Sequence, residues 1–522
     1  MPHPPIPRRR FIARGLAGTG IALLAPQVRA VGTTPRFESD PFSLGVASGY
    51  PTSDGMVLWT RLAPQPLAPN GGMPPHDVEV AWDVAHDVNF KNIAARGIAR
   101  AEFAWHHSVH VEPRGLAPDR PYFYRFRVGA ATSTVGRTWT APAPGASLAR
   151  LRLALASCQH YEQGFFAAYR HMVADDPQLI LHVGDYIYES GTKKSPVRKH
   201  PGDECFTLEE YRLRYSAYRS DPDLQAAHAA CPWMLTHDDH EVDNDYADDR
   251  GERIEPRETF LARRAAAYRA YYEHLPLPST ARPRGPDMQL YTERRFGDLL
   301  TLMMLDERQY RSHQVCPTPG KNGGARVYEE DCPEMNNPAR TMLGVPQERW
   351  TDARLAATRA HWNFLAQGVT FTRSNEATDG RHRYWTDAWA GYPAARDRLL
   401  HDIVARRVAN PVVLSGDIHA FIVADLPRDP ADQSSPIAVS ELVTTSITSP
   451  GPPDFVVAAY QRMKPQVWYA DGDHRGYIRL ELTRSELSAD LVAVDDARRA
   501  DSGAKVLARF AIEAGKPGLR PL

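Results

Sequence analysis

The chain has 522 residues, of which 43% are hydrophobic and 24% charged. That composition excludes a disordered chain and is too long for one simple core, so two domains are expected. Its 62 basic and 63 acidic side chains leave a net charge of −1, which gives no basic footprint for nucleic acid or an acidic membrane surface.

Residues 1–30 read as an export signal. The stretch "RRRFIARGLAGTGIALLAPQVRA" runs from an arginine cluster through a short apolar segment, Gly15 to Ala25, to small residues near Ala30. That is the n-region, h-region and cleavage-site order, and the h-region is too short to span a bilayer. The order Arg8-Arg9-x-Phe11-Ile12 resembles a twin-arginine signal, with Pro7 where Ser or Thr is usual. No later apolar run is long enough for a membrane span.

Residues 38–143 are predicted to form a small all-β, fibronectin/Ig-like sandwich domain. "GMVLWTRLAP", "DVEVAWDVAHD", "AEFAWHHSVHVE" and "PYFYRFRVG" are β-branched and aromatic runs separated by Pro, Gly and Asp, the pattern of short strands. His106 and His107 are expected as a solvated pair there. "TAPAPGAS" then reads as a linker.

From residue 148 to 500 strands and helices alternate, which argues for an α/β sandwich. "RLRLALAS" and "QLILHV" are predicted strands. Helices are predicted in "FFAAYRHMVADDP", "TFLARRAAAYRAYYEHL", "VPQERWTDARLAATRAHWNFLAQ" and "ARDRLLHDIVARRV" from apolar residues at helical spacing. The last segment, 501–522, is expected as a helix or docked tail over the active site.

Five apolar runs each stop at residues suited to metal binding. "LALA" leads to Ser157-Cys158-Gln159, "LILHV" to Gly184-Asp185-Tyr186-Ile187-Tyr188, and "PWMLT" to His237-Asp238-Asp239-His240-Glu241. "LLTLMML" leads to Asp306-Glu307-Arg308 and "PVVLS" to Gly416-Asp417-Ile418-His419. Ligands of open α/β sheets bind beyond the carboxyl ends of strands. One Gly-Asp after a strand is ordinarily a turn and one buried Cys ordinarily a small hydrophobe. Five such ends together carry more negative charge than a fold tolerates uncompensated, and a multivalent cation is the simplest remedy. A tyrosinate among the ligands points to Fe³⁺, since only strong Lewis acidity readily deprotonates a phenol of pKa near ~10. The carboxylates suit Ca²⁺, Mg²⁺ or Mn²⁺.

The ordered set "SCQ", "GDYIYE", "THDDHEVDND", "LDERQYR", "LSGDIHAF" and "VTTSITSPG" resembles the PhoD-type alkaline phosphatases and phosphodiesterases of the calcineurin-like metallophosphoesterase superfamily. The likeness extends to the β domain beginning "FSLGVASGYPTSDGMVLWTRL". It implies a metallophosphoesterase-type α/β sandwich catalytic domain over 148–500. It further implies that Asp185 bridges two metals and that Cys158, Tyr188 and His419 complete an Fe³⁺ shell. Asp239 and Asp417, standing where the superfamily has Asn and His, would harden the second site for Ca²⁺. Zn²⁺ and Mn²⁺ are the alternative ions. The four remaining cysteines can then pair, Cys205–Cys231 and Cys316–Cys332 being the most local connectivity; the other option is that they stay reduced and buried.

The expected activity is hydrolysis of phosphate monoesters or diesters by a metal-activated water. The substrates would be small phosphate esters, with phospholipids an option because relatives of this kind hydrolyse phospholipid diesters. His240 is the candidate general acid for the leaving group or a phosphate ligand, oriented by Asp238 or Glu241, and Arg308 a phosphate clamp. Asn244 is a weaker substrate contact, and Asp306 an alternative ligand of the second metal. Lys193, Lys194, Arg198 and Lys199 are placed to attract an anionic substrate. Export by the twin-arginine translocase to a periplasmic, cell-wall-associated or secreted location completes the expectation. The rival reading is a non-catalytic exported metal- or ligand-binding protein on the same scaffold.

Overall fold

The computed structural model describes residues 36–522 apart from 192–193, 430–431 and 433. The predicted export signal and Lys193 lie outside the described residues. Two β-sheets pack face to face with helices on their outer sides. The first is built around three parallel strands, Arg150–Ala156, Leu179–Val183 and Pro232–Thr236. The last two are buried at every position, as expected of central parallel strands covered on both faces. The second sheet is centred on four parallel strands: Leu300–Met304, Trp362–Ala366, Pro411–Ser415 and Ile437–Val443. One buried cluster holds Leu153, Leu155, Ile180 and Leu235 from the first sheet with Leu302, Phe364, Leu414 and Leu442 from the second.

The first sheet grows to ten strands by recruiting neighbours on both sides. On one side Val46–Thr52 pairs in parallel with Pro232–Thr236, followed by Gly55–Arg61 and Ser108–Val111. These three strands also face a separate five-stranded sheet carrying Val78–Ala85, Ile93–Ala101 and Arg120–Val128. Val46, Met56, Leu58 and Val109 pack there against Val80, Val84, Tyr122 and Phe126. The N-terminal sandwich therefore shares one of its layers with the α/β core. His106 and His107 are not a solvated pair: both are buried in this seam. The His106 ring meets the Arg61 guanidinium at 2.8 Å, and His107 Nε2 lies 2.9 Å from the His76 carbonyl.

On the other side, Arg475–Thr483, Glu486–Val494, Ala504–Glu513 and Lys516–Pro521 continue the sheet in antiparallel order. The expected C-terminal helix is thus a β-hairpin at the outer edge of the sheet. Gly515, at φ 80°, makes the turn, and backbone pairing with Glu486–Val494 overrides the helical propensity of "KVLARFAIEA".

The predicted helices form over Ala167–Ala174, Arg257–His274, Gly344–Ala357 and Pro393–Ala405. "HWNFLAQ", expected as the end of the third, is instead the central strand Trp362–Ala366. Leu208–Arg219, opened by a capping box between Thr207 and Glu210, and Pro222–Ala230, capped by Asp221, cover the first sheet. Of the proposed disulfides Cys316–Cys332 forms, whereas Cys205 and Cys231 are separate buried thiols. Among the described residues no helix is long and apolar enough to cross a membrane.

Candidate metal centre

All five predicted strand ends open onto the same face, three from the first sheet and two from the second. The backbone bends sharply at four of the candidate ligand positions. Cys158, Asp185, Asp417 and His419 have φ of 59°, 58°, 63° and 58°. Left-handed backbone at a residue with a Cβ costs about 1–2 kcal/mol, and such strain gathers where function fixes a side chain. Gly184, at φ 110°, lets the second strand end pass the third: a Cβ there would lie 2.4 Å from that of Asp238.

Cys158, Asp185 and His419 bring a thiol, a carboxylate and an imidazole within 4.8 Å of one another. Tyr188 completes this group. Its hydroxyl stands 2.7 Å from Asp185 Oδ2 and 3.1 Å from His419 Nε2. His419 Nδ1 lies 2.8 Å from the Pro450 carbonyl, which fixes the proton on that nitrogen and leaves the Nε2 lone pair free to bind a metal ion. Asp185 Oδ1 is buried without any partner. Asp185, Asp239 and His240 form a second such triad, so Asp185 is common to both. Asp417 lies beside them, and its carboxyl is raised well above the usual range by burial and by Asp238 and Asp239. Burial, then the surrounding carboxylates, pushes Asp185 in the same direction, and burial with Asp185 nearby raises Cys158 and Tyr188. Such a set of donors holds either extra protons or cations. Mixed thiol, phenol, imidazole and carboxylate on one side, and a carboxylate-rich group with His240 beside it on the other, fit a softer and a harder ion.

Asp239 behaves differently. Burial opposes its charge, but Arg308 and His240 hold its carboxyl below the usual range. Its two oxygens accept the backbone N–H groups of His240 at 2.9 Å and Asp245 at 2.7 Å. The Arg308 side chain, expected as a phosphate clamp, is fully buried, with Nε on Asp238 Oδ1 at 2.5 Å and Nη1 on Asp387 at 2.9 Å; only Nη2 is without a hydrogen-bond partner, 3.8 Å from Asp239 Oδ1. Arg311 pairs with the same Asp387, and Gln314 donates to it at 2.7 Å.

His240 is held by neither Asp238 nor Glu241. Its Nδ1 lies 2.7 Å from Glu189 Oε2, and its ring sits 4.2 Å from that of Tyr188. Burial opposes its charge, yet Glu189, Asp239 and Asp185 raise its pKa well above the ordinary value. Glu241 instead accepts the backbone N–H groups of Asp185, Tyr186 and Asp238 at 3.2, 2.6 and 2.8 Å, tying two strand ends together. Asn244 donates its backbone N–H to Glu189 Oε1 at 3.0 Å. Asp306 is spent on its own turn, accepting from the backbone of Arg308 and Gln309, both at 3.1 Å. Arg198 is not offered to a substrate: it pairs with Asp221 at 2.5 Å and lies over the Tyr161 ring.

The sequence reading missed Glu189, one residue beyond Tyr188, and Asp387. The first had a signal, an acid inside the "GDYIYE" motif. The second meets Arg308 and Arg311 only across more than seventy residues of chain. A cavity of about 200 Å³ opens beside Asp417 and His419, lined also by Thr370, Thr372, Trp385 and Tyr460. It is smaller than typical ligand pockets of about 300–1,000 Å³.

The model of the PhoD-like phosphatase family matches residues 153–491, and that of its N-terminal domain residues 27–142. Alkaline phosphatase D of Bacillus subtilis (strain 168) is 44% identical over 526 residues, covering 98% of this chain and 88% of that protein. A solved structure described as PhoD superposes with a TM-score of 0.87 at 43% identity, covering 94% of this chain and 93% of the other.

Proposed function

This chain belongs to the PhoD-like phosphatase family and is a phosphoric ester hydrolase, and on that premise we propose that it is an exported enzyme dependent on Fe³⁺ and Ca²⁺. The observation that carries the metal reading is Asp185. It is a buried carboxylate with one oxygen unpartnered, and it is shared by two ligand triads. Leaving such a charge uncompensated costs several kcal/mol. Cys158, Asp185, Tyr188 and His419 would hold the iron, and Asp185, Asp239 and Asp417 the calcium. Bound there, the ions supply Lewis acidity to the phosphoryl oxygens and lower the pKa of a water molecule.

The remaining work falls to the chain's own groups. Glu189 holds Nδ1 of His240, which leaves Nε2 to give a proton to the departing alkoxide oxygen. Glu241 keeps the Asp185 and Asp238 turns in register, and Arg308 fixes Asp238 and Asp387 behind them. The small cavity beside His419 supports a reading in which the alcohol portion of a phosphate ester lodges there; acyl chains of a phospholipid would remain outside it. Export is supported by the sequence of residues 1–30 and by the Cys316–Cys332 disulfide, which suits an oxidising compartment.

The test is hydrolysis of 4-nitrophenyl phosphate and bis(4-nitrophenyl) phosphate before and after chelation. Activity on at least one ester should disappear on chelation and return with Fe³⁺ and Ca²⁺ together. Return with Zn²⁺ or Mn²⁺ alone would replace the ion assignment, and full activity after complete metal removal would overturn the metal reading.

A further inference from the structure

The segment "VTTSITSPG" follows the parallel strand Ile437–Val443 as the sixth strand end on this face, and the mechanism above gives it no part. Its contacts are concentrated on the proposed iron ligands. The Ser449 hydroxyl lies 2.7 Å from the Tyr188 hydroxyl oxygen and 3.0 Å from the Cys158 carbonyl oxygen. The backbone N–H groups of Thr448 and Ser449 also point at the Cys158 carbonyl, at 3.4 and 3.3 Å. Pro450 supplies the carbonyl that orients His419. Three of the four groups are therefore tied to three consecutive residues.

The segment is itself fixed from behind. Arg475, buried and with its pKa lowered to about 10 mainly by burial, donates to the Ser449 carbonyl at 2.5 Å and to the Ser446 hydroxyl at 3.0 Å. Ser449 is buried as well, so its hydroxyl has no water to turn to.

We infer that Ser449 is a positioning residue for the metal centre, whose hydroxyl donates to the Tyr188 oxygen and holds that side chain on the ion. The proton count supports the direction. A serine hydroxyl carries one proton and here has two acceptors. In the metal-free site the Tyr188 proton can go to Asp185 Oδ2, which lies 2.7 Å away. Of the two acceptors facing Ser449 the Tyr188 oxygen is the nearer, at 2.7 Å against 3.0 Å. The Cys158 carbonyl keeps the two backbone donors.

This inference rests on the metal reading above, and its test separates the two. Wild type and Ser449→Ala are purified with their metals, and the half-time of metal loss to excess chelator is followed by elemental analysis, together with the visible spectrum. Ser449→Ala should lose metal about 10- to 100-fold faster, the usual cost of removing a partner that orients a ligand. Any tyrosinate absorption band should shift, and Ser449→Thr, which keeps the hydroxyl, should restore both properties. Release kinetics apply to whichever ion is bound, so a colourless protein still tests the inference. Identical half-times and spectra in wild type and Ser449→Ala would overturn the role of Ser449 alone. A wild type that binds no metal at all would overturn the metal reading and this inference with it.

Discussion

Two buried acidic groups sit side by side in this molecule and are handled in opposite ways. Asp238 and Asp387 are neutralised from within: Arg308 bridges them and Arg311 adds a second positive charge. Asp185 and Asp417, beside Cys158, are instead pushed toward their protonated forms by burial, and Asp185 Oδ1 has no hydrogen-bond partner. Arg308 and Arg311 tie up the first pair as scaffold, whereas Arg475, buried on the side of the second, is spent on the Ser449 carbonyl and leaves Asp185 and Asp417 to the proposed cations. Removing one charge should consequently have opposite effects in the two halves.

Asp185→Asn is the sharpest way to break that contrast. It should lower kcat/KM roughly a thousandfold or more, the several kcal/mol of charge stabilisation that metal catalysis supplies. The thermal midpoint of the metal-stripped protein should hold steady or rise, because an uncompensated charge has gone. A clear loss of metal-free stability would mean that Asp185 is structural. His240→Ala should reduce kcat about 10²- to 10⁴-fold while metal content stays near that of wild type. An unchanged kcat would remove His240 from the reaction.

Arg308→Met attacks the other half. It should destabilise the fold by about 3–5 kcal/mol, because Asp238 and Asp387 are left buried without their partner. Thermal unfolding of the metal-free protein reads this directly, and a stable variant would contradict the assignment of that half to scaffold. The effect that is smallest near neutral pH concerns a buried histidine in the strand Leu179–Val183. Burial pushes the pKa of His182 down to about 3, against about 6.5 in an unfolded chain. Below pH 6.5 the unfolded state takes up a proton that the folded state refuses. The stability linked to His182 is therefore complete above pH 6.5 and is lost as the pH falls toward 3, by about 1.4 kcal/mol per pH unit. His182→Leu should flatten the acid limb of stability by that amount, whereas an unaltered limb would show that His182 does not carry the linkage.

Much of the candidate metal-binding cluster could be read from sequence because one local rule generates it: an apolar run that ends in a ligand-type residue. Cys158, Asp185, Tyr188 and His419 were each visible in this way. The scaffold half was not legible, because its defining pairs, Arg308 with Asp387 and Arg311 with Asp387, join residues far apart in the chain. An arginine beside an apparent active site then looks like a phosphate ligand. The same limit applies to the fold. "FFAAYRHMV" yields a helix from its own periodicity, but "HWNFLAQ" becomes a strand only because Leu300–Met304 and Pro411–Ser415 stand on either side of it. The C-terminal hairpin has the composition of a helix and is recruited by the free edge of Glu486–Val494. Glu189 was overlooked for a subtler reason. Acids next to His240 in sequence seemed the natural partners, yet Asp238 and Glu241 are occupied by Arg308 and by backbone N–H groups.

The most direct measurement is elemental analysis with a visible spectrum on the protein produced with residues 1–30 in place, alongside turnover of a phosphate ester. The account predicts an absorption band, about one iron per chain together with calcium, and activity that disappears with them. A colourless, metal-free protein that hydrolyses the ester at full rate would contradict it.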